Sequence, residues 1–291
     1  MNMPEKEFIP PHKEVLCVIG YPIEHSMSPI MHNAAILDLN LNYIYLAFNI
    51  FPENLNLAVN GIKAFNFKGI NVTLPFKQKI MHYLDEIDPV AQEIGAINTI
   101  KNDGGYLYSR NTDAEGAMKA LLDAGHKVSG KNILLLGAGG AARTLAFIMA
   151  KDSNKIVIAN RTEKRAEKLA NEIKSKFGII VEGKNNSNHV LKEESKKADI
   201  LINTTPLGMY PNVDKSPIPA EFLHEDLFVF DIVYNPLKTK LIKDATEKGC
   251  STLGGLDMLV NQGALAFEWW TNKKPNIQLM KNKIVEALST K

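Results

Sequence analysis

A glycine turn, Gly137-Ala138-Gly139-Gly140-Ala141-Ala142, joins an apolar strand-like run, Asn132–Leu136, to an apolar helix-like run, Thr144–Ala150. Glycines at such a junction let a pyrophosphate approach the backbone N–H groups at the helix start. Gly137, Gly139 and Ala142 fit G-x-G-x-x-[G/A]. The pattern alone also describes any tight turn, but the strand before and the helix after point to a dinucleotide. The end of the next strand bears on which one. A site for NAD carries Asp or Glu there, about 20 residues on, to bind the ribose 2′-hydroxyl. Here Lys155–Ala159 runs into Asn160-Arg161-Thr162, with Arg165 one helical turn later. A guanidinium binds a 2′-phosphate in a planar fork, and without one a cation at a helix start opposes the macrodipole. The tip favours NADP. Glu163, the next residue, keeps NAD as the secondary cofactor.

Other polar clusters leave earlier apolar strands. Glu24-His25-Ser26-Met27-Ser28-Pro29 starts a helix, so two hydroxyls and the N-terminal amides could bind a carboxylate. Plain N-capping by Ser28 explains one serine but not both. Asn71-Val72-Thr73-Leu74-Pro75-Phe76-Lys77 places Lys77 in the first turn of a helix, where a lysine gains nothing from the dipole. It reads either as a catalytic side chain or as a solvated surface lysine. Gly95-Ala96-Ile97-Asn98-Thr99 and Asn111-Thr112-Asp113-Ala114-Glu115-Gly116 add further polar groups. Asp113, in a first helical turn, could serve the site or simply favour the helix dipole.

The elements that must position these groups alternate along the chain. Strands are expected at Val15–Gly20, Tyr43–Asn49 and Gly69–Val72, and helices at Pro29–Leu39, Pro52–Ala64 and Pro75–Tyr83. Ile97–Lys101 and Tyr106–Ser109 flank Asn102-Asp103-Gly104-Gly105, a hairpin signal. Thr112–Ala124 is a helix stopped by Gly125 and reads as the bridge to a second unit. There, strands at Asn132–Leu136, Lys155–Ala159, Ile179–Val181, Asp199–Asn203 and Leu227–Ile232 alternate with helices such as Thr162–Lys176. That rhythm argues for a doubly wound parallel sheet of Rossmann type. Glu182–Ser195 is polar and least clearly patterned. Helices at Leu237–Lys248, Leu256–Thr271 and Ile277–Leu288 follow, and the last two are expected to return to the first domain. The expected fold class is α/β, with an α/β substrate domain at 1–111, a dinucleotide-binding domain at 112–254 and returning helices at 255–291.

At 291 residues the chain suits two domains, and a net charge of +2 gives no reason to expect nucleic acid or an anionic membrane as partner. No apolar run is long enough to span a bilayer. Met1–Lys13 is polar, contains Pro10 and Pro11, and does not read as a signal peptide. Cys17 and Cys250, far apart, read as free thiols of a reducing cytosol. The histidines and cysteines show no metal-ligand spacing, so no metal is expected.

Taken together, the segments resemble the shikimate dehydrogenase family along essentially the whole chain. Ser26-Met27-Ser28-Pro29, the runs at 71–77, 95–99 and 111–116, the glycine turn and Asn160-Arg161-Thr162 carry the likeness. So do Asn203-Thr204-Thr205-Pro206-Leu207-Gly208-Met209, Asp231-Ile232-Val233-Tyr234-Asn235-Pro236 and the run from Gly254 to Ala264. The resemblance implies that Lys77 and Asp113 are the catalytic pair, and that Ser26 and Ser28 bind the substrate carboxylate. It implies contacts from Thr73, Asn98 and Gln262 to ring hydroxyls, with Tyr234 near the substrate. It implies a cofactor site at Gly137, Ala138, Gly139, Gly140 and Ala141. Asn160, Arg161, Thr162 and Arg165 would hold the 2′-phosphate, and Thr204, Pro206, Met209, Gly255 and Met258 would border the nicotinamide. The implied reaction is reversible, NADPH-dependent reduction of 3-dehydroshikimate to shikimate, with Lys77 as acid/base. The implied protein is a cytoplasmic monomer or homodimer whose partner is a small-molecule substrate. Three alternatives stay open: a quinate/shikimate dehydrogenase using NAD, a methylenetetrahydrofolate dehydrogenase of related layout, and a non-catalytic NADP-sensing module.

Overall fold

The computed structural model describes residues 12–289, so most of the Met1–Lys13 stretch lies outside the described residues. The first sheet contains β1 (Glu14–Gly20), β2 (Tyr43–Asn49), β3 (Gly69–Val72), β4 (Glu86–Ile87), β5 (Thr99–Asp103) and β6 (Tyr106–Arg110), in the order β2-β1-β3-β5-β6-β4. Helices α1 (Ser28–Asp38), α2 (Leu55–Ala64) and α3 (Pro89–Ile94) connect them. The sheet is mixed: β1 is parallel to β2 and β3, and β5 is antiparallel to β3 and β6. The antiparallel turn follows from its residues. Gly104 and Gly105, at φ 58° and 96°, supply the two left-handed positions that a two-residue hairpin loop needs, with Asp103 paired to Tyr106.

Helix α4 (Thr112–Asp123) leads to the second sheet. Its strands are β7 (Asn132–Leu136), β8 (Lys155–Asn160), β9 (Ile180–Asn185), β10 (Ile200–Asn203), β11 (Phe228–Asp231) and β12 (Ser251–Gly254). All are parallel, in the order β12-β11-β10-β7-β8-β9, with α5 (Gly140–Met149), α6 (Glu163–Phe177), α7 (Asn188–Ser195) and α8 (Lys240–Glu247) between them. Alternate residues of β7 feed two cores: Ile133 and Leu135 enter one, Leu134 and Leu136 the other. Burial on both faces is what a parallel sheet under two helix layers requires. The strand order reverses between β7 and β10, and in such sheets ligands bind in the crevice at that switch point. This is the expected two-part α/β architecture with a Rossmann-type sheet.

Helices α9 (Leu256–Thr271) and α10 (Ile277–Ser289) come back to the first sheet. Phe267, Trp270, Met280 and Ile284 share a core with Leu16, Val18, Met31 and Tyr45. Gly116 lets α4 and α9 cross closely, since a Cβ there would lie 2.7 Å from the Gln262 backbone nitrogen. Among the described residues no helix is long and apolar enough to cross a membrane. Cys17 and Cys250 are buried and unpaired.

Several local expectations need correction. No α-helix runs from Pro75 to Tyr83; turns at 74–75 and 77–78 lead into a 3-10 helix over Lys79–Tyr83. The Lys77 carbonyl accepts the Ile97 N–H at 2.9 Å, while the Met81 N–H, its partner in an α-helix, bonds the Gln78 carbonyl instead. Lys77 therefore stands on a turn, not in a helical first turn. Ser28 does not cap α1 but is its first residue; the N-cap is Met27, whose side chain makes no capping bond. The polar Glu182–Ser195 stretch contains the end of β9 and all of α7, capped by Ser187. Helix α8 is shorter than expected because Thr239 caps it. The short elements β4 and α3 are not among the expected ones, although Asp88 caps α3 before Pro89 and Gly95 ends it at φ 70°.

Candidate active site

Lys77 and Asp113 meet as an ion pair. Lys77 comes from the turn after β3, and Asp113 from the first turn of α4, where Asn111 caps the helix by accepting the Ala114 N–H. The Lys77 Nζ donates to Asp113 Oδ2 at 2.5 Å, and the two side chains are only 14% and 10% exposed. A Cβ built at Gly140 would stand 3.9 Å from the Lys77 Cδ. The ion pair thus borders the glycine turn at the start of α5. An ammonium held by one carboxylate keeps N–H bonds for a third group, an arrangement suited to giving or taking a proton.

Behind this pair lies a dense amide cluster. Asn98 Nδ2 donates to Thr112 Oγ1 at 2.9 Å and to Gln262 Oε1 at 3.2 Å. Its Oδ1 accepts the Thr112 N–H at 2.7 Å and also faces the hydroxyls of Thr99 and Thr112. Gln262 Nε2 donates to the Leu259 carbonyl at 2.8 Å, which leaves its second N–H. Asn71 accepts the Tyr45 hydroxyl at 2.6 Å and donates to Thr99. Thr73, by contrast, makes main-chain bonds while its hydroxyl has no partner among the described residues. At the start of α1 the Ser26 hydroxyl accepts the Ser28 N–H at 3.3 Å, and Ser28 is buried. Tyr234 comes over from the second sheet. Burial pushes its phenol above the usual range, and a hydrogen bond from the Met27 main chain works against that shift.

The glycine turn leaves room for close approach. Gly137 sits at φ 110°, where a Cβ would also come 2.5 Å from Thr204 Oγ1. Thr204 donates to the Leu136 carbonyl from both its N–H, at 2.9 Å, and its hydroxyl, at 2.6 Å, tying β10 to β7 at the switch point. Gly139 precedes α5 with no side-chain cap, and a Cβ on it would meet nothing within 4 Å. Ala138, Gly140 and Ala141 continue this bare N-terminus. At the tip of β8, Asn160 Nδ2 donates to the Thr162 carbonyl at 2.9 Å. Arg161 and Arg165 are exposed, and neither forms an ion pair among the described residues. Unfilled donors, a backbone with room above it and two uncommitted guanidiniums fit a phosphorylated dinucleotide. Gly255 allows α9 to start against the Ile232 carbonyl, which any Cβ would overlap; Met258 is buried one turn later, while Met209 stands exposed after Pro206. Among the described residues no group of three or more His, Cys, Asp or Glu side chains gathers in metal-holding fashion.

Two features of the site escaped the sequence. Arg143, the residue after the glycine motif, donates from Nε to the Ile94 carbonyl and from Nη1 to Glu172 at 2.5 Å. It ties the glycine turn to the loop that carries Asn98, and nothing in its spacing announces this. Asp231 is fully buried at the end of β11. It accepts from Thr239 Oγ1 at 2.6 Å, Asn203 Nδ2 at 2.9 Å and the Val233 N–H at 3.1 Å. Burial nevertheless pushes its carboxyl up to about 6. Asn203 in turn accepts both the N–H and the hydroxyl of Thr205, which shapes the loop toward Met209.

The chain matches three described families in sequence. "Shikimate dehydrogenase substrate binding domain" covers residues 18–100, "Shikimate / quinate 5-dehydrogenase" residues 119–233, and "Shikimate 5'-dehydrogenase C-terminal domain" residues 255–284. It is 50% identical over 281 residues to a shikimate dehydrogenase (NADP(+)) of Methanocaldococcus jannaschii, an overlap of 95% of this chain and 98% of the relative. In structure it is similar to a crystallised shikimate dehydrogenase in complex with NADP+ (TM-score 0.89, 49% identity, 95% and 96% of the two chains). It is also similar to shikimate 5-dehydrogenase from Listeria monocytogenes in complex with shikimate and NAD (TM-score 0.87, 40% identity, 97% and 99%).

Proposed function

The chain belongs to the shikimate dehydrogenase family, and from that premise we propose how its residues divide the work. It is an NADP-dependent oxidoreductase that interconverts 3-dehydroshikimate and shikimate in aromatic biosynthesis. NADP(H), when bound, supplies or accepts the hydride. Lys77 Nζ gives a proton to the forming alcohol oxygen in reduction and recovers it in oxidation. Its positive charge stabilises the alkoxide character that develops there. Asp113 orients the ammonium and offers its second oxygen to a substrate hydroxyl.

Ser26 and Ser28 hold the substrate carboxylate, and Thr73, Gln262 and Tyr234 take the remaining contacts. Anchoring remote from the reacting carbon works through positioning. Asn98 has its amide committed, so it acts by fixing Gln262 and Thr112. The Gly137–Ala141 backbone would hold the pyrophosphate, and Asn160, Arg161, Thr162 and Arg165 the 2′-phosphate. Thr204, Pro206, Met209, Gly255 and Met258 would border the nicotinamide. The substrate domain would run to residue 111, the dinucleotide domain from 112 to 254, and the returning helices from 255 onward. Two buried free thiols support a cytoplasmic setting, with the protein acting as a monomer or homodimer.

The observation that carries these assignments is the Lys77–Asp113 pair beside Gly140. Lys77→Ala is expected to lower kcat by about two to four orders of magnitude, the scale of general acid–base catalysis. The shikimate dissociation constant, measured by equilibrium titration, should change far less. A kcat near that of the parent would remove Lys77 from the role.

A further inference from the structure

Glu163 is an acid in the wrong place for a 2′-phosphate clamp. It lies two residues from Arg161 and two from Arg165, at the first position of α6. A free carboxylate there would repel a phosphate and pair with either guanidinium. It does neither. Its Oε1 accepts the Asn185 main-chain N–H at 3.2 Å and the Asn185 Nδ2–H at 3.3 Å. Asn185 ends β9 in register with Asn160, so the acceptor is drawn to the far side of the β8 tip. The Asn185 amide is itself fixed, because its Oδ1 accepts the Ser187 N–H at 3.1 Å and Ser187 caps α7. With Oδ1 committed to α7, Nδ2 has one orientation, and it faces Glu163.

We propose that Asn185 is a specificity residue for the cofactor: by engaging Glu163 on the β9 side it leaves Arg161 and Arg165 free for the 2′-phosphate of NADP. The inference rests on the reading of Asn160, Arg161, Thr162 and Arg165 as the phosphate clamp. Its consequence is that NADP preference depends on a residue outside that clamp, on a neighbouring strand, which acts by disposing of an acid.

The test is equilibrium binding of NADP+ and of NAD+ to the full-length protein, by calorimetry at low ionic strength, for the parent, Asn185→Leu, Glu163→Gln and the double variant. Asn185→Leu should lower the preference for NADP+ over NAD+ by about three- to tenfold, the size of one partly screened like-charge contact. Glu163→Gln should keep or raise the preference, and the double variant should return to the Glu163→Gln value. Asn185→Ser serves if leucine impairs folding, with the same fall expected. An unchanged preference in the Asn185 variant, or a fall that persists once Glu163 is neutral, overturns the proposal. Arg161→Ala is measured alongside. If it leaves the preference unaltered the clamp reading fails, while the Asn185–Glu163 cycle still reports its own coupling.

Discussion

Around Asn98 the polar atoms are bonded to one another, whereas around the glycine turn they are left over. Asn98 is 3% exposed and uses both ends of its amide on Thr99, Thr112 and Gln262. Helix α5 starts uncapped after Gly139, and Arg161 and Arg165 have no ion pair among the described residues. Both regions are rich in polar residues, yet one ties segments of the fold together and the other is suited to receive a charged ligand. A residue's type shows what it could bind; its unfilled hydrogen bonds show what it still can. Lys77, with one carboxylate partner, belongs to the receptive kind although it lies beside the bonded cluster.

Removing the centre of each region should have opposite consequences. Asn98→Ala strips partners from several buried groups, and each unsatisfied group costs about 1–3 kcal/mol. The variant is expected to lose about 2–4 kcal/mol of stability, read as a lower denaturant midpoint, which makes this the largest effect. A loss below about 0.5 kcal/mol would show that the cluster does not hold the cleft together.

Arg161→Ala should leave stability almost unchanged and lower the preference for NADP+ over NAD+ by about tenfold to a hundredfold, the value of a charge-assisted bond. A marked loss of stability with intact preference would reverse the comparison.

The smallest effect concerns two buried titratable groups, one per sheet. His32 is enclosed in the first core, stacked on Tyr45 at 4.2 Å with neither ring nitrogen bonded, and burial pushes it down to about 3. Its folded value lies below its unfolded 6.5, so the stability it allows is present above that pH and drains as pH falls toward 3. Asp231 has the opposite sign. Its folded value, about 6, lies above the ordinary 3.8, so its contribution is present below 3.8 and lost as pH rises through 6. Between those limits the two oppose each other. His32→Leu should remove about 1–2 kcal/mol of the stability loss on acidification to about pH 5. Asp231→Asn should steepen that loss. Denaturant midpoints across pH check both, and identical slopes in all three proteins would refute the assignment.

What was readable in the sequence was local. The glycine turn, the Arg161 tip and the Gly104-Gly105 hairpin each depend on residues a few positions apart, and backbone sterics allow few alternatives there. No α-helix follows Pro75, for the converse reason. The Ile97 N–H that bonds the Lys77 carbonyl comes from a segment 20 residues away. Helix α3 did carry a cap, a proline and a terminal glycine, but its six residues gave too little periodicity to notice.

By itself the sequence determined most of the strands and helices, the glycine turn and the cationic tip. These follow from propensity, capping and glycine's freedom at positive φ, which act within one or two turns of chain. Tertiary structure decided which polar residues are spent and which are available. Lys77 meets Asp113 across 36 residues, Asn98 meets Gln262 across 164, and Glu163 is drawn to Asn185 across 22. A hydrogen bond has only as many partners as its donors and acceptors allow, and the fold brings those partners within reach.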